Sequence, residues 1–197
     1  HFQTLLSSLP IQLFAIDEAH CISQWGYDFR PSYRKLDFLK KTFPKIPILA
    51  MTASAIPLVQ KDMLVQLGLK DANLITDQFL RPNLSYQVKK ETVNLFVLKN
   101  LLKDLDGSVI IYCNTRNNVA QLTSMLSSYG FNVSGYHAGM ELYERKKVQE
   151  YWMQDKTQVI VSTSAFGMGI NKTNVRAVIH FDIPGSIEQY YQEAGRA

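Results

Sequence analysis

Cysteine is scarce: the 197 residues hold two, Cys21 and Cys113, far apart and outside any C-x-x-C pair. A disulfide framework is therefore excluded, no zinc is expected in this segment, and a reducing interior compartment fits. Long apolar spans of the 18 or so residues that a membrane helix needs are lacking, as is an N-terminal targeting pattern. Charge of one sign is lacking too, with a formal net of +4. That surplus is compatible with nucleic acid and equally with an ordinary solvated surface. A further absence concerns glycine: none of the ten is followed by Lys, so the Gly-Lys-Ser/Thr loop that cradles phosphates is not found here.

What is present is an ordinary globular composition, 46% hydrophobic and 19% charged, enough for one or two cores. Apolar runs at 12–16, 48–51, 109–112, 159–161 and 177–181 read as short buried strands, with helical patterns between them. That alternation predicts an α/β fold with parallel sheets. Pro31 opens one helical stretch, with Tyr33, Leu36, Leu39 and Phe43 on its face; Pro57 opens another that stops at Gly68. Leu95, Leu98 and Leu102 mark a third, and Val119, Leu122 and Leu126 a fourth that ends near Gly130. These stripes are assigned to core and given no chemistry. Arg81-Pro82-Asn83 interrupts the pattern and suggests a boundary between 76 and 86.

The most informative segment is Asp17-Glu18-Ala19-His20, directly after the apolar run Leu13-Phe14-Ala15-Ile16. A run of that kind reads as a strand buried on both faces, with the acids at the carboxyl edge where parallel sheets bind ligands. An isolated Asp-Glu pair is more often a solvated loop or a helix cap; at a strand end it suits nucleotide hydrolysis. Asp17 is then assigned to Mg²⁺, directly or through water, and Glu18 to the attacking water.

The tetrad runs straight into a loop bearing Gln24, Trp25, Tyr27, Phe29, Arg30 and Tyr33. Flat rings stack single-stranded bases, and a guanidinium serves phosphate or a ring face. Rings also fill cores, and that is their commoner use. Beside the acid pair, a sensor linking DNA to the ATP site is the reading adopted.

With these residues the chain resembles the RecQ family of ATP-dependent DNA helicases. The resemblance rests on residues 17–33, Met51-Thr52-Ala53-Ser54-Ala55, Ile110-Ile111-Tyr112-Cys113-Asn114-Thr115-Arg116, Tyr136-His137-Ala138-Gly139, the stretch from Ala165 to Lys172, and Gln192-Glu193-Ala194-Gly195-Arg196-Ala197. It implies tandem RecA-like domains: residues 1–80 as the C-terminal half of the first, ATP-binding one, and 81–197 as a truncated second. It also implies ATP and Mg²⁺ as cofactors, single-stranded and forked DNA as partners, and 3′ to 5′ unwinding in DNA repair and recombination. Location would follow the DNA: cytoplasm in a prokaryote, nucleus in a eukaryote.

Roles for the other motifs follow from residue type and resemblance together. His20 completes the catalytic tetrad. Thr52 and Ser54 sit at another strand end; a generic Ser/Thr turn is the plain alternative to a relay between ATP and DNA sites, and the resemblance favours the relay. Asn114 and Arg116 lie at a helix start and are expected on DNA backbone, Thr115 serving as a cap. His137 is a DNA candidate because Gly139 admits close approach, although a lone His is more often structural. Thr163, Gly169, Asn171 and Lys172 belong to a segment that in the family touches DNA and nucleotide. Asn171 stands where some relatives have Asp, so it can serve ribose by hydrogen bonding and not by charge. Lys172 is read as phosphate-facing, against the alternative of an exposed Lys on a solvated turn. Gln192 and Arg196, four apart, would share a helix face. Arg196 resembles the first arginine of the final motif, near the γ-phosphate; whether it or the family's next arginine is the finger stays open.

Two rivals remain at this stage. One is an RNA helicase or duplex translocase of the same superfamily; the other is a non-catalytic module that binds single strands in a salt-dependent way. The lack of a P-loop leads us to expect little or no ATP turnover from this segment alone.

Overall fold

The computed structural model describes residues 2–25, 28, 30–69, 71–77, 81–88, 95–167 and 170–197. They form two compact units, His1–Phe79 and Leu80–Ala197.

The first unit runs α1 (Phe2–Ser7), β1 (Phe14–Ile16), a 3-10 helix (Ala19–Ile22), a second 3-10 helix (Pro31–Asp37), α2 (Phe38–Thr42), β2 (Ile48–Ala50) and α3 (Pro57–Gln66). Strands β1 and β2 pair in parallel with Ile16 opposite Ala50. The ladder continues past the strands, Met51 N–H to Ile16 C=O at 2.8 Å and Ala19 N–H to Met51 C=O at 2.9 Å. Parallel strands end on the same edge, so this register brings Asp17 to His20 beside Met51 and Thr52. Ile16, Ala19, Ile22, Leu39, Val59, Met63 and Leu67 form the core. Pro57 sits in the first turn of α3, where no N–H is needed. Gly68 ends it at φ 67°, with Leu69 N–H donating to Leu64 C=O at 2.8 Å, a left-handed stop that glycine adopts freely.

Two expectations fail in this unit. Strand β1 is not buried on both faces: Ala15 and Leu13 are exposed, and so is Leu49 on β2. Among the described residues the sheet has only two strands, too few to cover either face completely. The helix expected from Pro31 to Phe43 is also divided, seven residues of 3-10 helix followed by five of α2.

The second unit holds α4 (Leu95–Lys103), β3 (Ser108–Tyr112), α5 (Arg116–Ser128), β4 (Val133–Tyr136), α6 (Leu142–Met153), β5 (Val159–Ser162), β6 (Val175–His180) and α7 (Ile187–Ala194). Its sheet has the order β4-β5-β3-β6, and every pairing is parallel. Side chains alternate across β3: Val109 and Ile111 pack with Leu98, Leu102, Val119 and Leu122, while Ile110 and Tyr112 pack with Trp152, Ile160 and Phe166. Full burial of each such residue is worth about 1.5–3 kcal/mol, so this central strand anchors both layers. The carboxyl ends of β3, β5 and β6 then carry Asn114, Thr163 and Phe181 to one edge. No helix among the described residues is long and apolar enough to cross a membrane.

Candidate functional site

In the first unit the tetrad is built as a tight turn. Asp17 Oδ1 accepts the Glu18 N–H at 2.8 Å. Glu18 itself adopts φ 48° and ψ 42°, a left-handed conformation rare for a residue with a side chain and often tolerated at functional positions. That turn points the chain into the Ala19–Ile22 helix and buries His20 to 1% exposure. The His20 ring is held by Thr52, whose Oγ1 lies 2.8 Å from Nδ1, with Glu18 Oε2 at 3.3 Å from the same nitrogen. Thr52 Oγ1 also accepts the Ser54 N–H at 3.3 Å. Burial lowers the His20 pKa, outweighing the pull of the Glu18 carboxylate, so the ring is neutral near pH 7. Beyond its contact with His20, Glu18 Oε2 is buried without a well-aligned donor among the described residues.

The described residues of the loop that follows are tied down at Ser23 and exposed at Trp25. Ser23 Oγ donates to Asp62 Oδ2 at 2.6 Å and accepts the Trp25 N–H at 3.2 Å. The Trp25 ring is 60% exposed. Gln24 Oε1 accepts from Arg34 at 3.2 Å. Arg30 pairs with Asp28, and its N–H donates to Cys21 C=O at 2.8 Å; the Arg30 hydrogen bond holds the Asp28 carboxyl below its ordinary pKa. Tyr27 and Phe29 lie outside the described residues. Sequence reasoning missed Asp28, Ser23 and Asp62, whose roles depend on contacts that no local pattern announces.

In the second unit Asn114 caps the edge: its N–H donates to Asp182 Oδ2 at 2.7 Å and its Nδ2 to Ile183 C=O at 3.0 Å. Thr115 Oγ1 accepts the Asn118 N–H at 3.0 Å and starts α5. The Arg116 guanidinium lies against Gly139, where an added Cβ would stand 2.5 Å from Nη1. That contact joins Arg116 to the His137 turn, and the buried His137 Nδ1 has no hydrogen-bond partner among the described residues. Thr163 receives the Phe166 N–H at 3.2 Å, and Asn171 is exposed. Gly169 lies outside the described residues.

Arg196 packs on Gly167, donating from Nη1 to its carbonyl. Gly167 has φ 132°, and any Cβ there would stand 2.3 Å from the guanidinium carbon. One expectation needs correction here. Arg196 does not share a helix face with Gln192, because α7 ends at Ala194 and Gly195 is its cap. Lys172 does not stand on a solvated turn, the alternative weighed for it: its side chain is 6% exposed, its Nζ 2.8 Å from Asp155 Oδ1 and 5.2 Å from the centre of the Trp152 ring. An ammonium so placed fastens the chain after β5 to the end of α6.

The Glu193 carboxylate, which the sequence did not single out, is buried at the His180 ring, 2.8 Å from Nε2, and accepts from Gln189 at 3.0 Å. His180 in turn stacks on Tyr112. These contacts tie α7 to the ends of β6 and β3.

Residues 93–197 match the model of the helicase conserved C-terminal domain. The chain belongs to that family. This helicase-family chain is 49% identical to an ATP-dependent DNA helicase RecQ of Haemophilus influenzae, across 100% of its own length and 32% of the relative's. It is 42% identical to the bifunctional 3′-5′ exonuclease/ATP-dependent helicase WRN of Mus musculus, across 99% of the chain and 14% of that protein. The RecQ resemblance read from the motifs is thus borne out along the whole chain, which spans about a third or less of these curated relatives. Among solved structures, Saccharomyces cerevisiae Dbp5 bound to RNA and ADP BeF3 matches 94% of the chain, and the chain covers 50% of it, with TM-score 0.70 and 22% identity. That likeness concerns the fold, an α/β architecture of the RecA-like kind, as expected.

Proposed function

We propose that the whole protein is an ATP-dependent DNA helicase that moves 3′ to 5′ on single-stranded DNA and separates duplexes in repair and recombination. In this reading residues 1–80 are the C-terminal half of the first RecA-like domain and 81–197 the second. The observation that carries it is the His20 to Thr52 hydrogen bond: it ties the acid pair at the end of β1 to the Thr52–Ser54 turn after β2, beside a loop whose Trp25 is exposed. Similarity to named DNA helicases along the full chain supports the same conclusion.

Asp17 suits Mg²⁺, a hard cation that prefers oxygen, because its carboxylate is exposed and, among the described residues, only Oδ1 is engaged, by a backbone N–H. Mg²⁺ there would neutralise charge on the terminal phosphates of ATP. Glu18 orients the attacking water through its carboxylate, whose Oε2 also lies 3.3 Å from His20 Nδ1. His20 passes a change at Glu18 to Thr52 through Nδ1, and Ser54 follows Thr52. Arg196, whose Nη1 rests on the Gly167 carbonyl, contributes positive charge toward the γ-phosphate, while Asn171 serves ribose. Trp25 stacks a base, Arg30 exchanges Asp28 for phosphate, and Asn114, Arg116, His137 and Thr163 line the strand's path in the second unit.

Strand separation on forked DNA tests the reading. The longer protein that carries this segment should displace a strand from a duplex with a 3′ single-stranded tail, given ATP and Mg²⁺, and fail on a 5′ tail or an RNA duplex. Activity on RNA alone would favour the RNA-helicase rival, and ATP-independent binding without displacement would favour the binding module.

A further inference from the structure

Below the tetrad, three side chains of different chemistry meet. Cys21 Sγ lies 3.7 Å from His20 Nε2 and 3.6 Å from Asp28 Oδ2, and one ligand atom from each residue falls within 4.8 Å of the other two. Zinc bonds of about 2.0–2.3 Å to nitrogen, sulfur and oxygen in a tetrahedron place neighbouring donors about 3.3–3.6 Å apart. The two separations involving sulfur are therefore within a few tenths of an ångström of a ready-made site.

We propose that His20 Nε2, Cys21 Sγ and Asp28 Oδ2 bind a thiophilic divalent cation, Zn²⁺ by its chemistry, with the fourth position open to water. One thiolate, one imidazole and one carboxylate form a borderline-soft set that suits zinc and not Mg²⁺. The second shell is in place: Nδ1 of the same ring is fixed by Thr52 Oγ1, which turns Nε2 toward Cys21. Cys21 and His20 are buried, whereas the Asp28 side chain is 40% exposed, which gives the cation an entry. The site stands on donor geometry, and it shares the His20 ring with the contacts that Nδ1 makes to Thr52 and Glu18.

Binding has two costs. The Cys21 thiol must release its proton to water as the sulfur–metal bond forms, and Arg30 must yield its hold on Asp28 Oδ2. The cation would thus pin the loop at Asp28 to the Ala19–Ile22 helix and set Arg30 free. Cysteine count alone gave no sign of this, because the donors are gathered by the 3-10 turn and by the return of the chain at Asp28, not by a C-x-x-C spacing.

Cobalt(II) is the probe. Titrating it into the reduced, chelator-treated chain should produce a thiolate-to-cobalt charge-transfer band that saturates at one equivalent and is bleached by Zn²⁺. Cys113→Ser should keep the band. Cys21→Ser should lose it while retaining the circular dichroism of the parent. Asp28→Asn, on the exposed side of the site, should weaken binding by about tenfold or more, and it decides the matter if Cys21→Ser fails to fold. Absence of the band, its persistence in Cys21→Ser, or its indifference to Asp28→Asn would overturn the proposal.

Discussion

The Nδ1 nitrogen of His20 stands 2.8 Å from the hydroxyl of Thr52, and the two residues belong to turns that leave neighbouring parallel strands. The His20 ring is buried, and with the Ala19 N–H to Met51 C=O bond this contact joins the tetrad to the next strand end.

Removing its hydroxyl tests the path. Thr52→Val should cost about 0.5–1.5 kcal/mol of stability and lower the stimulation of ATP hydrolysis by DNA more than the basal rate. Thr52→Ser should restore both. Chemical denaturation and ATPase assays on the longer protein supply the readouts.

The same ring sets a pH dependence. Burial holds the folded pKa of His20 below its ordinary 6.5, so the unfolded chain binds the proton more readily. The stability due to His20 is complete above pH 6.5 and is lost as pH falls through 6.5 toward the lowered value. Denaturation midpoints measured from pH 7.5 to 5 should therefore decline, and His20→Asn should flatten the decline.

Gly167 is required twice over, by its φ of 132° and by the Arg196 guanidinium that lies on it. Gly167→Ala should cost about 1–3 kcal/mol from backbone strain and displace Arg196, reducing ATP turnover beyond what lost stability explains. Gly139→Ala should act on the Arg116 contact instead, weakening single-stranded DNA binding in fluorescence anisotropy.

Lys172 is predicted to matter for folding and not for DNA. Lys172→Ala should lower the melting temperature by removing the Asp155 pair and the contact over Trp152, while affinity for single-stranded DNA stays unchanged.

Both thiols should resist alkylation. Burial pushes Cys21 up to about 11 and Cys113 up to about 12, with nearby carboxylates adding to the shift. The reactive thiolate is thus scarce at neutral pH. Iodoacetamide should modify neither residue until denaturant unfolds the chain.

Much of this was legible because the signals were local. Thr115 before a Val119, Leu122 and Leu126 stripe announces α5, and Pro57 with Gly68 brackets α3. Strand β4 was not legible, since Val133-Ser134-Gly135-Tyr136 carries a glycine and a serine where an apolar run is sought. Helix α6 escaped because Leu142–Met153 is rich in charge and buries only Trp152 fully. The site was legible in residue type and not in partnership. Arg196 on Gly167, Lys172 on Asp155 and Cys21 beside Asp28 are contacts made by the fold, so spacing put Arg196 on one helix face with Gln192 and gave no sign of the Lys172 pair with Asp155.

The central claim is that an ATP site at Asp17 and Glu18 is driven by DNA through the adjoining loop. The most direct measurement is ATP hydrolysis by the longer protein with and without single-stranded DNA, comparing the parent with Glu18→Gln and Trp25→Ala. The account predicts strong stimulation in the parent, no hydrolysis in Glu18→Gln, and basal hydrolysis without stimulation in Trp25→Ala. Equal stimulation in the parent and Trp25→Ala, or undiminished hydrolysis in Glu18→Gln, would contradict it.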